Sequence, residues 1–292
     1  MSLTHLLKFN EVKKRFAEVT RVPLNLPSPS IPNLKVFHSS YSLVGKAFDY
    51  SLRFWLEGEY RDITYAGAWI AEISMELLKY DDGCERFNIS YEWLAKSFER
   101  ARALHAEYLE KKIWTRNLTR VSLFLAEMDS YYRAGKLDLS VLKAGLDAES
   151  EDCERLLEIA KVSLPEVKRY VILNPKFGKA SDAVRGADAD FIIDNMLVDI
   201  KTTRNYDIDP SAIYQLVGYK SLLDIGGIEL IEGSKLTVNP KEITDCAIYF
   251  SRRGVFYQMS FDELIDSYDL FRLGNWLMTK GEKFYGPGQI LA

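Results

Sequence analysis

The stretch Gly186–Thr203, GADADFIIDNMLVDIKTT, decides how this chain reads. Two apolar runs, FII and MLV, flank Asp194 and Asn195, a pair suited to a two-residue hairpin loop because both residue types tolerate a positive φ. Taking those two as the loop fixes the register: Ile193 faces Met196, Phe191 faces Val198, and Asp190 faces Asp199. Directly opposed residues have Cβ atoms about 4.5–5.5 Å apart, a spacing at which like charges destabilise. Two carboxylates about 5 Å apart repel by roughly 3 kcal/mol at an effective dielectric near 20. Lys201 shares a face with Asp199, because strand side chains alternate, and offsets one negative charge. A divalent cation would offset the rest. The simpler alternative is an exposed hairpin whose acids fan into water, with Lys201 paired to Asp188. An acid two residues before a lysine occurs four times, at Glu11, Glu110, Glu166 and Asp199. The tripeptide alone therefore decides nothing, but only the last ends a strand with an acid opposite it.

Such a set suits metal-assisted hydrolysis of a phosphodiester. Oxygen donors favour Mg²⁺ or Mn²⁺, with Asp190 and Asp199 as carboxylate ligands and the carbonyl of Ile200 as a further one. The metal would polarise a phosphoryl oxygen and acidify a water, while Lys201 orients that water or steadies the transition-state charge.

These residues resemble the PD-(D/E)xK nuclease superfamily, whose signature is an acid on one strand and (D/E)-x-K on the next, here Asp190 and Asp199-Ile200-Lys201. The following stretch, AIYQLVGYKSLL, places Gln215 and Tyr219 four residues apart on one helical face. A Q-x-x-x-Y helix directly after the D-x-K strand resembles the RecB-type branch; standing alone, the pair would read as a surface glutamine and a half-buried tyrosine. RecB-type members also carry an upstream helix in which a glycine precedes a histidine. VGKAFDY resembles that helix, with Gly45 in the glycine position and Asp49 in place of the histidine. The resemblance implies that Asp49 assists the metal, with Glu57, Glu151, Glu154 and Glu158 as alternatives. It implies an α/β, restriction-endonuclease-like core, a small mixed sheet flanked by helices in the order αβββαββ. It further implies an Mg²⁺-dependent nuclease acting on single- or double-stranded DNA, in which Gln215 and Tyr219 position Lys201 or the substrate strand. Some RecB-type nucleases hold an iron-sulfur cluster through four cysteines. The three cysteines here, Cys84, Cys153 and Cys246, are scattered, so no cluster is expected. The alternative function is a non-catalytic nucleic-acid or protein-binding module that keeps the fold and docks a protein partner through its helical insertion.

The rest of the chain frames this block. Its 292 residues, 47% hydrophobic and 27% charged, suffice for a large core. Residues 1–38 read as an N-terminal arm and linker, with a short helical pattern over 9–19 and then VPLNLPSPSIPNL, whose prolines forbid regular helix. The domain proper spans 39–292. Val44, Ala47, Phe48, Leu52 and Trp55 recur at helical spacing after Ser39, and about 60–165 forms an all-helical insertion, with a cap at Ser90 and a stop at Gly135. Lys8 and Glu11 break the first apolar run too early for a secretory signal, so a cytoplasmic protein with no membrane span is expected. No GxxxxGK(S/T), HExxH or GxSxG motif occurs, and His5, His38 and His105 lack metal-ligand spacing. The net charge of −4 argues against bulk electrostatic coating of nucleic acid. DNA contacts would fall to Lys176, Lys179, Arg185, Arg204, Lys220, Arg252 and Arg253, with Tyr206 and Tyr214 as stacking candidates.

Overall fold

The short apolar runs VIL, FII and MLV become strands buried on both faces. The computed structural model describes residues 2–23, 25, 36–138, 146–230 and 236–285. Among these, six strands form one mixed sheet in sequential order: β1 (Thr64–Tyr65), β2 (Val171–Leu173), β3 (Phe191–Ile193), β4 (Met196–Lys201), β5 (Asp245–Phe250) and β6 (Val255–Ser260). β1 runs parallel to β2, and β4 to β5; the other neighbours are antiparallel. Residues 64–164 were expected to be almost wholly helical; β1 departs from this because a two-residue strand has no period to detect.

Alternation along these strands sends side chains into two cores. Val171, Leu173, Phe191, Ile193, Met196, Val198, Ala247 and Tyr249 face one helical layer. That layer holds α3 (Tyr41–Glu59), α4 (Ile70–Tyr80), α6 (Tyr91–Lys111), α7 (Arg116–Ala134) and α8 (Asp147–Ser163), with the short α5 (Gly83–Arg86) beside α4. Ile172, Ile192, Leu197, Cys246, Ile248 and Phe250 face the other, built from α1 (Leu3–Leu6), α2 (Asn10–Val19), α9 (Gly178–Ala183), α10 (Pro210–Gly226), α11 (Phe261–Leu264) and α12 (Ser267–Tyr285). The helical stretch between β1 and β2 is thus one covering layer of the sheet. Parallel strands need a crossover, and α10 supplies it between β4 and β5.

Local signals set the helix ends. Ser90 and Thr115 accept from the backbone N–H groups of Trp93 and Leu118, and Gly135 ends α7 at φ 62°. Asp209 caps α10 with Pro210 next to it. Residues 1–38, read as an arm and linker, are partly core: Leu3, Leu6, Val12 and Phe16 are buried in the second cluster. The proline-rich stretch 26–35 lies outside the described residues. Among the described residues no helix is long and apolar enough to cross a membrane.

Gly226, at the end of α10, is a steric requirement: an added Cβ would stand 1.9 Å from the Phe177 carbonyl oxygen. Gly226→Ala is expected to cost about 3 kcal/mol, since backbone atoms must move apart. A urea melt checks it; a loss below about 1 kcal/mol would show that α9 and α10 can separate freely.

Candidate functional site

The hairpin forms in the expected register. Ile193 pairs with Met196 and Phe191 with Val198, and Asp194 takes φ 52° in the loop. The Asp194 carboxylate accepts from the backbone N–H groups of Lys168, Arg169 and Tyr170, tying the loop to the chain entering β2.

The ladder ends one residue before the acids would stand opposed. β3 starts at Phe191, and Asp190 instead turns its Oδ2 onto the Ile200 N–H at 2.5 Å, replacing a main-chain acceptor where the strands part. N–H and C=O of one strand residue point to the same side, so the Ile200 carbonyl also faces away from β5 toward Asp190. Burial first, then the carboxylates of Asp199 and Asp49, push the Asp190 carboxyl well above the ordinary range. Asp199 thus acts on Asp190 electrostatically, although the two acids are not the direct cross-strand pair expected from the sequence.

Lys201 does not pair with Asp188. Its Nζ lies 2.7 Å from Asp199 Oδ2 and donates to Gln215 Oε1 at 3.3 Å, while the Gln215 amide donates to the Tyr219 hydroxyl at 2.8 Å. Burial opposes the Lys201 charge, but Asp199 outweighs it, and the ammonium is held above its usual range. Tyr219, pushed well up by burial and then by surrounding acids, stays a neutral phenol. Asp188 belongs to Arg133, which bridges it at 3.3 Å and Asp129 at 2.9 Å.

A cavity of about 320 Å³ opens beside this chain of contacts, between the two helical layers. Asp49, Asp190, Ile200, Gln215 and Tyr219 line it, together with Gly45, Lys46, Asp129, Arg133, Asp188 and Thr202. Asp199 and Lys201 are not among its lining residues; Asp199 is only 3% exposed, whereas the Lys201 side chain is 29% exposed. Arg53 donates to Asp49 Oδ2 at 2.6 Å, whereas Asp49 Oδ1 is buried with no hydrogen-bond partner among the described residues. Burial, and less strongly Asp129, raise the Asp49 carboxyl against the pull of Arg53. The alternative acids are placed elsewhere: Glu57 meets His105, Glu154 meets Arg116, Glu158 meets Lys161, and neither they nor Glu151 line the cavity.

Among the described residues no group of three or more His, Cys, Asp and Glu side chains is arranged to hold a metal ion. A donor set that mixes carboxylates with a main-chain carbonyl fits a hard divalent cation. The unpartnered Asp49 Oδ1 and the crowded Asp190 carboxyl are the observations that support such a fit.

Two basic candidates for DNA contact are corrected. Arg252 is fully buried, its guanidinium donating to both oxygens of Asp152 at 3.0 and 2.7 Å. Lys220, 5% exposed, is bound to Asp224 and the Pro240 carbonyl. Tyr206 and Tyr214 are half-buried, against Phe250 and Phe16. Lys176, Lys179 and Arg204 are exposed, and Arg185 and Arg253 are half-buried. Sequence reasoning missed Lys46, Asp129 and Arg133. The spacing of four residues in Asp129–Arg133, as in Asp49–Arg53, marks a helical ion pair but not its place at the cavity, and Lys46 carries no such signal.

A raised carboxyl has a consequence for stability. As pH climbs from the unfolded toward the folded value of Asp190, the unfolded chain ionises, the folded one does not, and stability falls. Asp190→Asn keeps an oxygen acceptor for the Ile200 N–H and removes the repulsion. It is expected to be more stable than the parent at neutral pH by on the order of 1 kcal/mol, the difference vanishing near pH 4 and below. Urea melts at the two pH values check this, and an equal difference at both would contradict it.

Comparison of the chain with protein families, with characterised proteins and with solved structures finds no match.

Proposed function

We propose that the chain is a metal-dependent DNA nuclease of the RecB-type PD-(D/E)xK kind, built on a restriction-endonuclease-like core. The supporting observation is the contact chain Asp199–Lys201–Gln215–Tyr219, with Asp190 accepting from the Ile200 N–H between Asp199 and Lys201, beside an acid-lined cavity. Asp190, Asp199 and the Ile200 carbonyl would hold Mg²⁺ or Mn²⁺, with Asp49 assisting. When bound, the ion polarises a phosphoryl oxygen and lowers the pKa of a water. Lys201, kept protonated by Asp199, serves as a fixed donor that orients the attacking water and stabilises charge developing on the phosphate. Gln215 fixes the ammonium, and Tyr219 fixes Gln215.

Metal binding to the folded state alone stabilises it by about 2.7 kcal/mol at one hundred times Kd. Mn²⁺ is therefore expected to raise Tm by about 5 °C in the parent protein and leave Asp199→Ala unmoved. An equal response of both proteins would remove Asp199 from the metal site.

A second reading is a non-catalytic module that docks a protein through its helical layer. The exposed Tyr80, Ile113 and Val162 of that layer favour it. It expects no Mn²⁺ response in either protein.

A further inference from the structure

The cavity wall carries two basic side chains, and only one is committed to carboxylates. Arg133 is shared between Asp129 and Asp188. Lys46, on the second turn of α3, forms no ion pair among the described residues; its Nζ donates to the neutral Ser130 Oγ at 2.6 Å. Partial burial makes the ammonium costly to keep and lowers it below its usual range; Asp129 and Glu127 support its charge from farther off, and Arg133 opposes it. An ammonium with spare donors, half out of water and beside a cavity, gains most from an anion that enters the cavity.

We propose that Lys46 is a substrate-positioning residue that receives a non-bridging oxygen of a nucleic-acid phosphate in this cavity. This rests on the nuclease reading for the identity of the substrate, but not for the contact itself. Gly45 beside it leaves room: an added Cβ would reach no atom nearer than Thr202 Cβ at 3.5 Å. Gln215 and Tyr219 stand on the same cavity, so a phosphate held by Lys46 would lie beside the contact chain that carries Lys201.

The test is binding of a fluorescent single-stranded oligonucleotide in EDTA, followed by anisotropy over a range of salt, for the parent, Lys46→Gln and Lys46→Arg. Lys46→Gln is expected to bind about tenfold more weakly. Its slope of log affinity against log salt is expected to be shallower by about 0.7, the value for one lost phosphate contact on a single strand. Lys46→Arg is expected to restore both. Structural damage elsewhere would not change the salt slope, and an unchanged affinity and slope in folded Lys46→Gln would overturn the proposal. Should Lys46→Gln fail to fold, Ser130→Ala decides. It releases the ammonium from its neutral partner and is expected to tighten binding a few-fold; unchanged or weaker binding would overturn the proposal. Because no cleavage is read, failure here is distinct from failure of the nuclease reading. A protein that binds through Lys46 but never cleaves keeps this contact and loses that reading.

Discussion

Lys201→Ala is expected to lower the single-turnover rate of metal-dependent DNA cleavage by about 10²–10⁴-fold, the range for loss of a positioned proton donor or charge stabiliser. The expectation follows from how Lys201 is held. Its ammonium stands against Asp199 at 2.7 Å and Gln215 at 3.3 Å, so its position is set before substrate arrives. Pre-set donors cost no reorganisation during reaction, which is why removing one harms the rate more than the binding. Lys201→Arg keeps the charge but changes the shape of the donor, and should recover little. Affinity for DNA in EDTA should change far less than the rate. A variant with full rate, or one that loses rate and affinity equally, would take Lys201 out of the chemical step.

Arg252→Ala is expected to destabilise the fold by about 3–5 kcal/mol, because it strands a buried carboxylate. Arg252 is 0% exposed and grips both oxygens of Asp152, which also takes a bond from His38 Nε2 at 2.9 Å. Burial works against the Asp152 charge, but the bonds from Arg252 and His38 prevail and hold its carboxyl below the usual range. The Arg252 Nε–H also donates to the Thr202 carbonyl at 3.2 Å, so the same guanidinium pins the chain just after Lys201. Melting is expected to fall by about 5–8 °C. Replacing both charges, Arg252→Met with Asp152→Leu, should recover much of the loss. A fall of under about 2 °C in Arg252→Ala would mean that water reaches Asp152 and the pair is not the closed unit it is drawn to be.

The hairpin was legible because a short loop signal and two apolar runs leave one register, and a slip of one residue would turn every side chain over. The RecB-type resemblance implied that Gln215 and Tyr219 position Lys201 or the substrate strand, and Gln215 does accept from Lys201. Two features were not legible. Asp190 was expected beside Asp199 in a continued ladder; the strands instead part at Phe191, and the carboxylate replaces a backbone partner. Arg252 and Arg253 read as a solvated basic turn, yet the partner that buries Arg252 lies 100 residues earlier, in a helix whose own pattern is amphipathic. Likewise Lys46, Asp129 and Arg133 reach the cavity from α3 and α7, through tertiary packing that no local spacing encodes.

The most direct test of the central claim is incubation of the purified, folded protein with end-labelled single- and double-stranded DNA, with Mg²⁺ or Mn²⁺ and with EDTA. The proposed site predicts cleavage that requires the metal, vanishes in EDTA, and is lost in Asp199→Ala. DNA left intact under all conditions, together with no Mn²⁺-dependent rise in Tm, would contradict it.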